Sequence, residues 1–380
     1  MLQFKLNIRL AKSVKIWLIT RLVVNKITMS QLITSENKYY LLLRYLSGLG
    51  KAGIKKLFEQ GLTAKQIFMS HQERVKNISL AKKEVDEELE KAAHLGFQLI
   101  TYADERYPPL LKEIHDPPFY FYIKGELRPK DAMSLAVVGT RRVTGYGREA
   151  ICTIIPGLIS AGLTIVSGMA RGADSLVHRA ALDAGGRTVA VLGAGLDIIY
   201  PPENRELYEE ISQNGAVLSE FPLGFEPTSY SFPVRNRLIS GISLGVWVIE
   251  APERSGALIT ARMAMEQNRD VFALPGSIFA QTSLGTNKLI EDGATLVTSA
   301  EDIINALNLE YQKAGIQARQ YEPETEMEHK VLELLAENPR NVDDLVKVSN
   351  YTVSEIGSVL SLLEIKGVIR EISQGEYRVV

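Results

Sequence analysis

The chain has 380 residues, 46% hydrophobic and 23% charged, the mixture of a globular protein of two or three domains. Lys and Arg number 43 against 45 Asp and Glu, so the formal net charge is -2, and any nucleic-acid site must be a local concentration of basic side chains. The single cysteine, Cys152, excludes an internal disulfide and a multi-cysteine zinc site, and it suits a reducing cytoplasm.

Residues 1–28 carry Lys5, Arg9, Lys12, Lys15, Arg21 and Lys26, and no acidic residue precedes Glu36. The apolar stretch Ile16-Trp17-Leu18-Ile19 is cut by Arg21 and is too short for a membrane span, and the order of a signal peptide is missing. We read 1–28 as an extension ahead of a start at Met29. From about 36 to 100 the periodicity is helical, and it contains Leu46-Ser47-Gly48-Leu49-Gly50-Lys51-Ala52-Gly53. Such a Gly-x-Gly hairpin between helices either offers backbone N–H groups to a phosphate or is a plain tight turn. It is not a P-loop, because Tyr45 stands where the first glycine belongs and Ala52 follows Gly50-Lys51. Pro-rich turns then flank Leu110–His115, and Phe119–Ile123 reads as a strand.

Between 134 and 300 short apolar runs alternate with helix-length segments: 135–138, 164–166, 188–192, 216–218, 246–249 and 271–274. Runs apolar on both faces point to a parallel sheet covered by helices on both sides, an α/β, Rossmann-like, doubly wound domain. Ligands bind such folds outside the carboxyl ends of the strands. The residues there are Gly139-Thr140-Arg141-Arg142, Ser167-Gly168-Met169-Ala170-Arg171-Gly172-Ala173-Asp174, and Arg254-Ser255-Gly256, with Ser231–Arg237 just ahead of the fifth run. Glycines let a ligand approach the backbone, and helix starts favour anions. Every Lys or Arg position from 134 to 287 is arginine, twelve in all. Arginine's planar fork grips phosphate and stacks on bases. Arg141, Arg171, Arg235, Arg237 and Arg254 are the expected ligand residues, whereas Arg148, Arg179, Arg187, Arg262 and Arg269 are expected on solvated helix faces.

A dinucleotide fingerprint fails at Gly193-Ala194-Gly195, since Ile198 occupies the place of the third glycine. The five histidines show no metal spacing, and His178 reads as a packing residue. Asp174 reads as a helix cap. No cofactor and no metal are expected.

The ordered series Gly139-Thr140-Arg141, Ser167 to Asp174, Val191 to Asp197, Tyr200-Pro201-Pro202-Glu203-Asn204, Leu218 to Pro222, Phe232 to Gly241, Glu253 to Ala261, Leu274 to Ser277 and Asn287-Lys288 resembles the DNA-processing protein A family, also called DprA or Smf. The resemblance is dense over about 105–300. It implies a cytoplasmic, non-catalytic, homodimeric protein that binds single-stranded DNA and loads the RecA recombinase onto it during natural transformation, displacing single-strand binding protein. It implies a DNA pocket at Arg141, Ser167, Gly168, Arg171, Arg235, Asn236, Arg237 and Lys288. Strand-end position adds Gly172, Arg254, Ser255 and Gly256. A nucleotide-processing enzyme using Glu220, Glu250 or Asp174 is the alternative. A nucleotide sensor or purely structural protein is a third class.

Residues 326–380 read helix, helix, helix, hairpin, a winged-helix pattern. Ten acidic residues face six basic ones here, so the third helix is a poor phosphate reader and a protein-contact or dimer-support role fits better. The organisation is therefore an extension over 1–28, a helical SAM or helix-hairpin-helix-like domain over 29–102, the Rossmann-like domain over 103–306, a linker over 307–325 and a winged helix over 326–380.

Overall fold

The computed structural model describes residues 36–309 and 323–379, apart from 339, 350, 367 and 374. The expected extension over 1–28 and most of the expected linker lie outside these residues. Contacts divide the chain into a unit ending at Ile303 and a second unit from Ile304 onward.

In the first unit four helices open the described chain: α1 (Asn37–Leu42), α2 (Lys51–Glu59), α3 (Ala64–Ser70) and α4 (Ile78–His94). Thr63 and Gln66 form a reciprocal capping box at α3, and Asn77 caps α4, so each chain reversal is fixed by local hydrogen bonds. The sequence range read as wholly helical ends instead in a strand, β1 (Gln98–Thr101), paired antiparallel with β2 (Tyr120–Gly125). Four residues directly behind a 17-residue helix are too few to show a period of two. Leu41, Phe68, Val85 and Leu89 share one core with Tyr122, Ala190 and Val217, so the helices and the sheet are packed as one body.

The remaining strands are β3 (Ser134–Val138), β4 (Thr164–Ser167), β5 (Thr188–Val191), β6 (Ala216–Ser219), β7 (Gly245–Val248), β8 (Asp270–Ala273) and β9 (Thr295–Leu296). Their order is β1-β2-β6-β5-β4-β3-β7-β8-β9, with β1, β2 and β6 paired antiparallel and β6 through β9 parallel. Every residue of β3 to β7 is buried, which explains the unbroken apolar runs. Between strands run α5 (Pro109–Glu113), α6 (Gly145–Ser160), α7 (Ala173–Asp183), α8 (Arg205–Asn214), α9 (Ser231–Ile242), α10 (Gly256–Glu266), α11 (Leu284–Glu291) and α12 (Ala300–Ala306). Leu207 and Ile211 of α8 join the core that holds Ala190. Leu238 and Ile239 of α9 and Ala261 of α10 join the other face, with Val189 and Val191. The sheet grows from β3 toward β6 on one side and from β7 toward β9 on the other. The direction of winding therefore reverses between β3 and β7, and that reversal opens a crevice at their carboxyl ends.

The second unit contains α13 (Glu326–Glu337), α14 (Val342–Ser349) and α15 (Val353–Ile365), with a sheet ordered β10-β12-β11 from β10 (Arg340–Asn341), β11 (Ile369–Ser373) and β12 (Glu376–Val379). This is the expected winged helix, plus one two-residue strand with no sequence signal of its own. Val331, Leu345, Ile356, Leu360 and Leu363 form its core. The outer face of α15 shows Val353, Glu355, Leu362, Glu364 and Ile365 to solvent. Among the described residues no helix is long and apolar enough to cross a membrane.

Candidate nucleic-acid interface

The crevice is built from three loops stitched to one another. After β7, Glu250 is buried; its carboxylate accepts from the Thr144 N–H at 2.9 Å and the Thr144 hydroxyl at 2.6 Å, and its carbonyl accepts from the Thr140 N–H at 2.7 Å. The end of β7 is thereby tied to the loop after β3. After β4, Gly172 has φ +81°, and a Cβ there would lie 2.6 Å from the Thr140 and Arg141 carbonyl oxygens. Only glycine permits that approach. Ala173 N–H then donates to the Thr140 carbonyl at 3.1 Å.

Asp174 is not the cap that its position suggested. Gly172 is the N-cap of α7, and the Asp174 carboxylate reaches back to the N–H groups of Gly168 (3.2 Å) and Ala170 (3.3 Å). It is buried, and burial raises its pKa above the usual carboxylate range against the opposing pull of Arg235. Arg235, also buried, donates to the carbonyl of Gly168 at 2.7 Å and to that of Val191. Burial lowers its pKa to about 10, with Asp174 opposing and Arg141 adding to the fall. His178 beneath is fully buried with Nδ1 2.6 Å from the Thr188 hydroxyl; burial and then Arg235 push its pKa down to about 3. That is a packing histidine.

Above this floor lies an open cleft of about 300 Å³ whose lining includes Arg141, Arg235, Asn236, Arg254, Ser255 and Gly256. Ser255 Oγ accepts from the Ala257 N–H and starts α10 at the cleft wall. A second recess of about 470 Å³ adjoins it through Arg141, Asn236 and Gly256. Arg141 and Arg254 are exposed and carry no ion pair among the described residues. The Arg141 guanidinium sits 5.3 Å from the Phe232 ring centroid, Phe232 lies 5.8 Å from Tyr200, and Arg171 lies 5.9 Å from Tyr200. The four groups form one ladder of cation–π and ring contacts, with the two rings tilted 43° to each other.

Six expected residues thus converge on the cleft, and six do not line it. Gly168 and Gly172 shape the loop behind it. Ser167 is buried and donates to the Val137 carbonyl at 2.7 Å, which leaves its hydroxyl occupied by the sheet. Arg171 is paired with Glu203 at 2.5 Å at the exposed edge. Lys288 sits on α11 paired with Glu291 at 3.1 Å and Asp292 at 3.0 Å. Arg237 is buried against Glu220 and, at 3.1 Å, Asp116. Two residues along a helix are about 200° apart, so Arg235 and Arg237 face opposite sides of α9. Two arginines expected on solvated helix faces are structural instead: Arg187 pairs with Asp131 at 2.8 Å, and Arg269 donates to the Leu110 carbonyl at 2.9 Å. Lys51 of the hairpin pairs with Glu220 at 2.7 Å, which favours the tight-turn reading of that motif. Phe232 and Tyr200 were missed as site residues, although Phe232 precedes Arg235 by one helical turn.

The model of the DNA recombination-mediator protein A family matches residues 98–308. The chain belongs to that family. The model of the DprA winged helix domain matches residues 317–375. Among the family's curated members, protein Smf of Escherichia coli K12 is 39% identical over 79% of this chain and 82% of its own length. The DNA processing protein DprA of Streptococcus pneumoniae R6 is 45% identical over 56% of this chain and 77% of its own. The crystal structure of DprA from S. pneumoniae superposes with a TM-score of 0.62 at 39% identity, covering 72% of this chain and 98% of that one. A Helicobacter pylori family member, whose structure is described as showing a unique single-stranded DNA binding mode, gives a TM-score of 0.51 at 33% identity over 56% of this chain and 96% of that one.

Proposed function

We propose that this chain binds single-stranded DNA in the cleft at the carboxyl ends of β3, β4 and β7, and that it serves as a non-catalytic mediator in DNA uptake and recombination. The observation that carries the reading is the pairing of exposed, unneutralised Arg141 and Arg254 with the aromatic ladder of Phe232 and Tyr200. Guanidinium groups serve phosphates, and ring faces serve unpaired bases, which a duplex keeps stacked inside. The single-stranded DNA mode of the H. pylori relative supports the same choice. The carboxylates of the enzymatic alternative have other work: Asp174 holds a loop, Glu220 pairs with Lys51 and Arg237, and Glu250 stitches two strand ends.

The finer reading follows the family: a cytoplasmic homodimer that loads RecA onto the bound strand and so displaces single-strand binding protein. The free edge at β9, where Leu296 is exposed, is a surface suited to a second copy. Binding of single-stranded oligonucleotides of graded length across a salt series tests the primary claim. Affinity should rise with length and fall steeply with salt. Mononucleotides binding as tightly as oligonucleotides would overturn it.

A further inference from the structure

One wall of the recess that adjoins the cleft hangs from a turn that the N-terminal helices hold. The turn runs Pro222-Leu223-Gly224-Phe225: Phe225 N–H donates to the Pro222 carbonyl at 3.2 Å, and Gly224 has φ +79°. Both inner N–H groups of this turn meet carboxylates. Leu223 N–H donates to Glu88 Oε1 at 3.2 Å, and Gly224 N–H donates to Asp197 Oδ1 at 2.8 Å. Glu88 lies on α4, where its other oxygen accepts from Arg44 at 2.5 Å and Tyr122 donates to Oε1 at 2.9 Å. One turn further along α4, Lys91 pairs with the second oxygen of Asp197 at 2.6 Å. Glu88 and Lys91 are three residues apart and share one helix face, so a single face of α4 grips both sides of the turn.

The chain leaves this turn directly into Pro227, Thr228 and Ser229, which line the second recess, and then into α9, which carries Phe232, Arg235 and Asn236. Downstream the next anchor is Ser231, whose hydroxyl donates to the Gly193 carbonyl at 2.5 Å. Thr228, Ser229 and Tyr230 between the two anchors are exposed. A segment supported only at its ends takes its position from them.

We infer that Glu88 and Asp197, with Lys91, are positioning residues through which the N-terminal helices set the 227–229 wall of the recess that adjoins the cleft and so tune its grip on a single strand. This rests on the cleft being the DNA site. None of the three lines the cleft, so any effect on binding has to travel through what they hold: the turn and, for Asp197, its own loop, which is tied to the turn by the Gly195 N–H donating to the Phe225 carbonyl at 2.8 Å and leads on to Tyr200.

The test uses the full chain with Asp197→Ala, Asp197→Asn and Lys91→Ala. Asp197→Ala removes both the acceptor for Gly224 and the partner of Lys91; it should weaken single-stranded oligonucleotide affinity roughly fivefold, the weight of one net hydrogen bond. Asp197→Asn keeps an acceptor and should recover most of that loss. Lys91→Ala, at a half-exposed side chain that the fold tolerates losing, should cost about twofold. Amide exchange should quicken at 223–230 and stay unchanged in β3 and β4. Faster exchange there with unaltered affinity would overturn the inference, as would Asp197→Asn binding as poorly as Asp197→Ala. A wild type that binds no single-stranded oligonucleotide would instead remove the parent reading, and this one with it.

Discussion

The floor and the rim of the cleft both use arginine, and they use it differently. On the floor, Arg235 is buried, two carbonyls take its donors, and Asp174 balances its charge. On the rim, Arg141 and Arg254 stand in solvent with no carboxylate partner among the described residues. The contrast lies in what sits opposite each guanidinium. A charge that has been desolvated and matched holds the fold, whereas a hydrated, unmatched one is ready for a phosphate. Mutations should therefore separate the two layers.

The largest effect is expected at Arg235→Ala, which removes the buried guanidinium bonded to the Gly168 and Val191 carbonyls and with it the opposite charge that offsets the burial of Asp174. Stability should fall by about 3–5 kcal/mol, read as a lowered Tm, and DNA binding should fall with it. An unchanged Tm would erase the distinction between floor and rim. Next comes acid titration of His178. Its folded pKa of about 3 lies below its unfolded value, so the fold favours the neutral ring. Its contribution is fully present above about pH 6.5 and drains away as pH falls toward 3, amounting to roughly 3 kcal/mol by pH 4. Chemical denaturation across that window should show the slope, and His178→Gln should flatten it.

At the rim, Arg141→Ala and Arg254→Ala should each weaken single-strand affinity by about 1–3 kcal/mol and leave stability within about 0.5 kcal/mol of wild type. Removing both should lower the slope of log affinity against log salt by about 1.4, the share of two single-strand phosphate contacts. A fall in Tm equal to that of Arg235→Ala would place these residues with the floor. The smallest effect belongs to the exposed pair Arg171–Glu203. Glu203→Gln frees Arg171 while the ladder remains, and affinity should rise about twofold. A decrease would mean that Glu203 serves binding by holding Arg171 over Tyr200.

The doubly buried strands were legible because five consecutive parallel strands leave no exposed face to interrupt the apolar run. β1 and β9 were not: one is four residues attached to a helix, the other two exposed residues. At the site, strand-end position was enough to put Arg141, Arg254, Ser255 and Gly256 on the lining of the cleft. It did not separate Arg235 from Arg237, since both belong to one short motif and only the rotation of α9 sends them apart. Nor could the sequence show which arginines are neutralised, because Glu203, Glu220 and Asp131 lie far along the chain from some of the arginines they serve. Lys288 rested on family resemblance alone, and the structure gives it acidic neighbours of its own.

The backbone crossing at Gly172 has a consequence for how this surface can be retuned. Thr140 and Arg141 lean on a residue with no side chain, and the loops after β3 and β4 consequently behave as one rigid knuckle. On the proposed reading, an incoming strand meets these two loops already fixed and restricts the Arg141 side chain that they carry. The entropic toll of association is correspondingly small, and changes of grip strength are open to single side-chain replacements on the rim. Any replacement at Gly172 itself would displace both loops together.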